Sequence, residues 1–146
     1  ALRAGPYGRC VFHCDNDVVD HQTVNLEFAH NIHATFTMTA FTQDCHRTIK
    51  VTGTLGEVEG DMEENTLRLR RFGQPEQVID LREKGGAFSG HGGGDFGLMS
   101  SFCKLIAGGG TQGLTGLDVS VESHVMALAA EVSRRGGGRT VCLDQF

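Results

Sequence analysis

The sequence lacks the features that would place it in several common protein classes. No apolar run reaches the roughly 18–20 residues that a membrane-spanning helix requires, so a membrane partner is not expected. Basic residues are not in excess, because 13 Lys and Arg stand against 18 Asp and Glu, which gives a net charge of −5. Nucleic acid is therefore not expected as a partner, since phosphate binding needs a concentrated basic face.

The five cysteines are an odd number and include no C-x-x-C pair. A disulfide framework usually has an even number of cysteines, and a zinc site has close ligand pairs. Cys10 and Cys14 lie four positions apart in a strand-like stretch, which is too far for a bridge. We therefore expect five reduced thiols, buried as small apolar residues, in a cytoplasmic protein.

Residues up to about 82 alternate in polarity as β-strands do. The runs 23–28 and 32–41 flank a turn at 29–31, an arrangement typical of a β-hairpin. Asn31 tolerates the left-handed backbone that a tight turn demands. Further strands are predicted at 47–53, 56–60, 66–72 and 77–81. Short consecutive strands with close turns predict an open, mainly antiparallel sheet.

The second run of the predicted hairpin presents two different faces. One face carries Ile32, Ala34, Phe36, Met38 and Ala40, whereas Thr35, Thr37 and Thr39 share the other face with His33 and Phe41. A threonine-covered face suits a half-wet sheet surface. It is either solvated or paired with another subunit, and in the second case these threonines form a homodimer contact. The densest basic stretch, residues 68–71, alternates in the same way and is interpreted as a solvated face.

The remainder of the chain predicts two helices. The glycine-rich segment 83–94 is predicted to be a loop. A helix is predicted over 95–107 and another over 118–135, because apolar residues recur there every three to four positions. Glycine triplets follow both helices and end them, and residues 141–143 fit a last short strand. The fold class is therefore α+β: an open antiparallel sheet with two helices packed on one face.

Two stretches match the dinucleotide-binding pattern G-x-G-x-x-G, starting at Gly92 and at Gly108. That motif binds a dinucleotide only where it joins a buried strand to a helix in a parallel βαβ unit. The first stretch follows a polar loop, and the second follows a predicted helix. No Rossmann unit is therefore predicted, and no cofactor is expected to bind this chain alone.

The loop before the first helix contains a candidate ligand contact. In the stretch His91-Gly92-Gly93-Gly94-Asp95, the glycines let the backbone approach a ligand, and the following helix N-terminus attracts oxygen-rich groups. His91 can donate or accept a proton near neutral pH. The candidate substrate-binding residues are His91, Gly92, Gly93 and Asp95. The alternative is a surface loop in which Asp95 caps the helix.

Three aspartates, Asp15, Asp17 and Asp20, precede His21 in one short segment. The segment lacks the central glycine and the distant glutamate of a calcium loop. No second ligand pair stands at the spacing of a zinc site. A polar turn between strands is favoured, and no metal site is predicted. A metal-dependent hydrolase that uses these aspartates with His91 is the weaker alternative.

Five segments follow one another along the chain: GPYGRCVFHCDNDVVDHQTVNLEF, ATFTMTAFT, GTLGEVEGDM, GHGGGDFGLM and SVESHVMALAAEVSR. Together they resemble the C-terminal domain of the Gfo/Idh/MocA oxidoreductases, the family of glucose–fructose oxidoreductase and inositol dehydrogenase. The resemblance runs from Gly5 nearly to the end of the chain without large gaps. Each segment is degenerate, but five in the same order are specific.

The resemblance implies a two-domain sugar or polyol oxidoreductase that depends on NAD or NADP. In that family an N-terminal Rossmann domain binds the cofactor, and the C-terminal domain has an open sheet that commonly forms the dimer contact. Residues 1–146 would be the C-terminal substrate and oligomerisation domain, lacking the Rossmann domain and its own first elements. The row Thr35, Thr37 and Thr39 would then form the homodimer contact. The loop containing His91 would line the sugar or polyol site between the domains.

The family's catalytic groups have no counterpart in this chain. The lysine belongs to the Rossmann half, and the Asp–His pair precedes the stretch with which this chain begins. The resemblance therefore implies a chain that is inactive by itself. It also leads us to expect a more glycine-rich turn than His30-Asn31. A free-standing, self-associating binding module without catalysis is the alternative function.

Overall fold

The computed structural model describes residues 3, 5, 8–10, 12–82, 93–110, 113 and 116–145. The chain forms two compact units, Ala1–Asp44 and Cys45–Phe146. The first unit contains the strands β1 (His21–Phe28) and β2 (Ile32–Thr39). The elements of the second unit are β3 (Thr48–Gly53), β4 (Gly56–Asp61), β5 (Thr66–Arg71), β6 (Gln77–Asp80), α1 (Gly94–Ala107) and α2 (Leu117–Arg135).

The first unit contains one antiparallel hairpin, and its register confirms the predicted alternation. β1 pairs with β2 along all eight residues of each strand. The connection Ala29–Asn31 forms a 3-10 turn in which His30 and Asn31 have φ angles of 62° and 59°. The left-handed backbone predicted at Asn31 is therefore present, and it helps to reverse the chain in three residues.

The second unit contains a four-stranded sheet in the order β3-β4-β5-β6, with each strand antiparallel to the next. The predicted α+β class, with open antiparallel strands and two helices, is confirmed. The strands form two separate sheets, and within each sheet every strand pairs with the strand that precedes or follows it along the chain. The connection at 40–47 separates β2 from β3, and these two strands do not pair within the described residues.

The four-stranded sheet has one apolar and one charged face. The apolar face carries Ile49, Val51, Val58, Leu67, Leu69 and Ile79. Gly60 is buried on this face between Ile49 and Leu67, where the missing side chain leaves room for both neighbours. We call the opposite face the charged face. It carries Lys50, Glu57, Glu59, Arg68 and Arg70, with Glu76 just before β6.

Both helices end in glycine-based Schellman motifs, as their glycine triplets predict. After α1, the Gly110 N–H donates to the Leu105 carbonyl, and Gly109 has a φ of 66°. After α2, Gly137 occupies the same left-handed position with a φ of 75°. Glycine adopts this backbone without a steric penalty, so the triplets stop the helices sharply. Among the described residues, no helix combines the length and the apolar character needed to cross a membrane.

Two sequence predictions are wrong. Residues 141–143, predicted as a strand, have no strand neighbour to pair with among the described residues and lead into a 3-10 turn at Leu143–Gln145. The cysteines, predicted to be buried, are exposed or half-buried. The described part of the chain buries little, since Ala129 is its one buried apolar side chain. The following apolar residues of α1 are each more than half exposed: Phe96, Leu98, Met99, Phe102 and Ile106.

Candidate functional site

Thr35, Thr37 and Thr39 share one exposed face of β2, as the alternation predicts. Thr35 stands opposite Asn25 on β1, and Thr37 stands opposite Thr23. The Thr35 hydroxyl donates a hydrogen bond to the Asn25 Oδ1 at 3.0 Å. We call this surface the threonine face. Its hydroxyls offer both donors and acceptors, so it can meet either water or a polar surface of another chain.

The other face of the hairpin is apolar and also exposed. Val24 stands opposite Phe36, and Phe28 stands opposite Ile32. The exposed fractions are 43% for Phe28, 58% for Ile32 and 51% for Phe36. A two-stranded hairpin is marginally stable in water, and a contiguous exposed apolar surface commonly marks a contact site. The hairpin therefore has two surfaces of opposite character, both accessible within its unit.

The glycine loop predicted to contact substrate falls partly on described residues. Gly93 has a φ of 89° and directly precedes α1, and Asp95 lies in the first turn of that helix. A carboxylate in this position is favoured by the unpaired N–H groups of the helix N-terminus. His91 and Gly92 lie outside the described residues. The structure therefore places two of the four candidate residues, both at the N-terminal end of α1.

The acidic segment does not converge on a metal-like cluster. Asp15 pairs with Arg9, and Asp20 pairs with the adjacent His21. In the part of the chain that the structure describes, none of the three predicted aspartates belongs to a group of three metal-ligating side chains. The remaining member of the hydrolase hypothesis, His91, lies outside the described residues.

His46, Asp61 and Glu63 form a cluster that the sequence analysis missed, with ligand-type atoms within 4.8 Å of one another. The Asp61 carboxylate accepts hydrogen bonds from the N–H groups of Glu63 and Glu64, and it lies 3.2 Å from the His46 Nδ1. The Glu63 carboxylate accepts the Arg47 N–H. These backbone hydrogen bonds are the main cause that lowers the pKa of both carboxyl groups. The cluster thus holds the β4–β5 turn against the start of β3.

The charged face is covered by a network of ion pairs that run across the strands. The Lys50 Nζ lies 2.9 Å from a carboxylate oxygen of Glu57 and 2.9 Å from one of Glu59. The Arg70 Nη1 lies 2.9 Å from Glu57 and 2.7 Å from Glu59, and its Nε pairs with Glu76. Glu57 and Glu59 therefore each bridge β3 to β5. These pairs hold the charged side chains in fixed rows on the sheet.

The ion pairs stabilise the ionised form of the carboxylates. Hydrogen bonds from Lys50, and then from Arg70, lower the pKa of Glu57 and of Glu59. Hydrogen bonds from the Arg82 side chain lower the pKa of Asp80 from its ordinary value of 3.8 to about 2. These groups are accessible to water, which weakens each pair. Because the pKa of each of these carboxyl groups is lowered, the carboxylates of the charged face are ionised at neutral pH.

We expect the protein to lose stability as the pH falls below about 4.5, near the ordinary pKa of a glutamate. A carboxyl with a lower pKa in the folded chain stabilises the fold above its unfolded pKa, and that contribution disappears as the pH falls through the folded value. On α2, Arg134 and then Arg135 lower the pKa of Glu131 to about 2. Thermal unfolding midpoints from pH 7 to pH 2 should therefore fall less steeply for Glu131→Gln than for the unchanged chain. Parallel curves for the two proteins would contradict this assignment.

A shallow groove of about 300 Å³ lies along the charged face. Its polar lining residues are Thr48, Lys50, Glu59, Asp61, Thr66 and Arg68. The sequence predicted a solvated strand surface at 68–71 but not this organised face. Alternation of charge along β4 and β5 was a usable signal, since both strands place like charges two residues apart. Only the cross-strand register shows that the acidic strand pairs with the basic one.

Comparison with known proteins identifies no family for the chain. No model of a known protein family matches it. A search of curated proteins gives no match, and a search of solved structures gives none. The resemblance to the Gfo/Idh/MocA oxidoreductases therefore depends on the five sequence segments alone.

Proposed function

We propose that this chain is the substrate-side and dimerisation domain of an NAD(P)-dependent sugar or polyol oxidoreductase of the Gfo/Idh/MocA type. The order of the five sequence segments is the observation that carries this proposal. The α+β class with open antiparallel strands is the kind of architecture that the resemblance implies. The threonine face supports the dimerisation part, because Thr35, Thr37 and Thr39 are exposed within their unit and their side chains can contact a second copy.

Hydride transfer requires the nicotinamide cofactor, which carries that chemistry when it is bound to a Rossmann domain. The described residues do not fit such a cofactor. The glycines from Gly108 onward end helix α1, whereas a dinucleotide motif must open a helix after a buried strand. We therefore derive no catalytic step for this chain alone.

The contribution of the chain itself is contact with the substrate. Gly93, in a left-handed conformation, brings the backbone to the start of α1 without a side chain in the way. Helix N–H groups at this position suit the oxygens of a sugar or polyol. In this proposal Gly92, Gly93 and Asp95 orient hydroxyl groups of the substrate, and His91 exchanges a hydrogen bond with one of them.

We also propose a reducing, cytoplasmic environment for the chain. No disulfide joins the cysteines of the described residues, and four of the five cysteines are exposed. Exposed thiols persist where cellular reductants keep them reduced, whereas secreted proteins usually oxidise them to disulfides.

The proposal is tested by comparing the natural gene product with the 146-residue chain. Each protein is incubated with NAD or NADP and a panel of inositols, aldoses and sugar alcohols, and nicotinamide reduction is followed by absorbance. We expect the natural product to oxidise at least one member of the panel and the 146-residue chain to oxidise none.

Two results would contradict the proposal. One is a natural reading frame without a strand–turn–helix G-x-G-x-x-G unit, which would favour the free-standing binding module. The other is a natural product that contains such a unit but reduces neither cofactor with any polyol or sugar.

A further inference from the structure

The cluster of His46, Asp61 and Glu63 joins two parts of the second unit that are distant in the sequence. His46 precedes β3, whereas Asp61 ends β4 and Glu63 lies in the turn between β4 and β5. The register of β3 and β4 pairs Thr48 with Asp61 and so brings these segments together. Each side chain offers one atom of a kind that binds metal ions, and these atoms lie within 4.8 Å of one another. One imidazole and two carboxylates therefore meet at one end of the sheet.

We propose that His46, Asp61 and Glu63 bind one Zn²⁺ ion through an imidazole nitrogen and two carboxylate oxygens. Both kinds of atom are ordinary zinc ligands. A site made of oxygens alone would suit magnesium or calcium, whereas the imidazole favours a transition ion. Three protein ligands leave the fourth tetrahedral position to water, as in zinc sites that accept a further ligand. We call these three residues the zinc site.

The spacing of two ligand atoms already matches zinc coordination. The His46 Nδ1 lies 3.2 Å from the Asp61 Oδ2. Two ligands of a tetrahedral zinc ion lie about 3.3 Å apart, because each zinc–ligand bond is about 2.0–2.1 Å long. A zinc ion can therefore replace the hydrogen bond between these two atoms with little change in their separation. The 4.8 Å limit within the cluster exceeds the tetrahedral spacing by about 1.5 Å, which the flexible Glu63 side chain can cover.

The backbone already orients both carboxylates of the zinc site. The Asp61 Oδ1 accepts the N–H groups of Glu63 and Glu64, each at 3.0 Å. The Glu63 Oε2 accepts the Arg47 N–H at 2.9 Å. Metal-binding carboxylates are commonly held by such hydrogen bonds, which fix the orientation of the ligand. One oxygen of each carboxylate thus contacts the backbone, and the other faces a side chain that can move.

A neighbouring guanidinium competes with the ion for one of these oxygens. The Arg47 Nη2 lies 3.4 Å from the Glu63 Oε1, which is longer than an ordinary hydrogen bond. The Arg47 side chain is 62% exposed, whereas those of Asp61 and Glu63 are 25% and 30% exposed. The guanidinium can therefore turn into water when an ion binds. The two carboxylates stay partly shielded from water, which strengthens their attraction to a dication.

This inference goes beyond the proposed function and does not require it. A zinc ion at this site would link the start of β3 to the β4–β5 turn without a nucleotide, a sugar or a second copy of the chain. An ion that binds only the folded chain also stabilises it. We therefore expect the thermal unfolding midpoint to rise as Zn²⁺ is added.

Calorimetric titration of Zn²⁺ into the untagged, reduced 146-residue chain tests the proposal. We expect one equivalent to bind, with an affinity that excess Mg²⁺ leaves unchanged. His46→Gln and Glu63→Gln should each lower the affinity about 100-fold, since the loss of an outer-shell partner alone costs about 10–100-fold. Glutamine at position 63 keeps an oxygen that can accept the Arg47 N–H, so the turn should remain folded.

Two matched variants control for binding of zinc at other side chains. His21→Gln removes an imidazole that pairs with a single carboxylate, that of Asp20. Cys45→Ser removes the exposed thiol next to His46, because a thiolate is itself a strong zinc ligand. Both variants should bind one equivalent of Zn²⁺ with the affinity of the unchanged chain.

Three results would overturn the proposal. One is an unchanged chain that binds no Zn²⁺, and another is His46→Gln or Glu63→Gln with unchanged affinity. The third is loss of binding in His21→Gln or Cys45→Ser, which would place the ion outside the zinc site. Circular dichroism checks the fold of each variant. If Glu63→Gln misfolds, Asp61→Asn replaces it and must show the same loss of affinity. None of these results depends on the activity assay with sugars and polyols.

Discussion

Replacing Gly56 with alanine is expected to lower the free energy of unfolding by about 3–5 kcal/mol, from the combined cost of a glycine-only backbone and a steric clash. Gly56 begins β4 with a φ of 148°, a conformation that side-chain-bearing residues rarely adopt. A Cβ at this position would lie 2.1 Å from the Arg70 carbonyl oxygen and 2.9 Å from the Arg71 Cα. Because these are backbone atoms of the paired strand, β5 itself must move away.

Two neighbouring glycines provide matched controls for Gly56→Ala. Gly53 pairs directly with Gly56, but its added Cβ would meet only the Gly56 carbonyl oxygen at 3.8 Å, so Gly53→Ala should change stability little. Gly73 has a φ of 72° with nothing within 4 Å of an added Cβ. Gly73→Ala should therefore report the backbone cost alone, about 1–2 kcal/mol. Urea unfolding of the three variants measures the differences, and equal midpoints for Gly53→Ala and Gly56→Ala would refute the clash.

Replacing Gly60 with valine is expected to destabilise the second unit by about 1–3 kcal/mol through overpacking. A Cβ at Gly60 would lie 3.0 Å from the Leu67 Cδ2 and 3.1 Å from the Ile49 Cγ2. Both contacts are the ends of side chains, so they can move by a few tenths of an ångström but not by the width of a branched residue. Gly60→Ala should be close to neutral, because the better strand propensity of alanine offsets the tighter contact.

A compensating substitution makes this second prediction specific. Leu67→Ala removes the side chain nearest to Gly60, so Gly60→Val should cost less in that background than in the unchanged chain. The coupling between the two substitutions is measured by a double-mutant cycle in urea. Additive effects would show that valine at position 60 acts through something other than contact with Leu67.

Much of the local structure follows from periodicity in the sequence. The strand and helix bounds lie within one or two residues of those predicted, since polarity alternates every two residues in the strands and apolar residues recur every three to four in the helices. Asn31 and the glycine triplets also identified their turns correctly, because few residues tolerate a left-handed backbone. The division into two sheets was not predictable in this way. Alternation specifies the face of each strand but not its partner beyond the nearest hairpin.

Less of the candidate site could be predicted from the sequence. Thr35, Thr37 and Thr39 were placed correctly on one face, because that needs only the period of a strand. The network around Arg70 was missed, since it depends on which residues of β4 stand opposite β5. The cluster of His46 with Asp61 joins residues far apart in sequence, and nothing in their local pattern indicates it.

The ion pairs of the charged face give its central acidic strand a built-in redundancy. Glu57 and Glu59 on β4 each pair with Lys50 on β3 and with Arg70 on β5. Because the two carboxylates share both partners, loss of either one leaves the other to connect the three strands. Among the described residues, Arg70 has no such substitute on β5 for these two contacts, so its loss separates β5 from both glutamates at once.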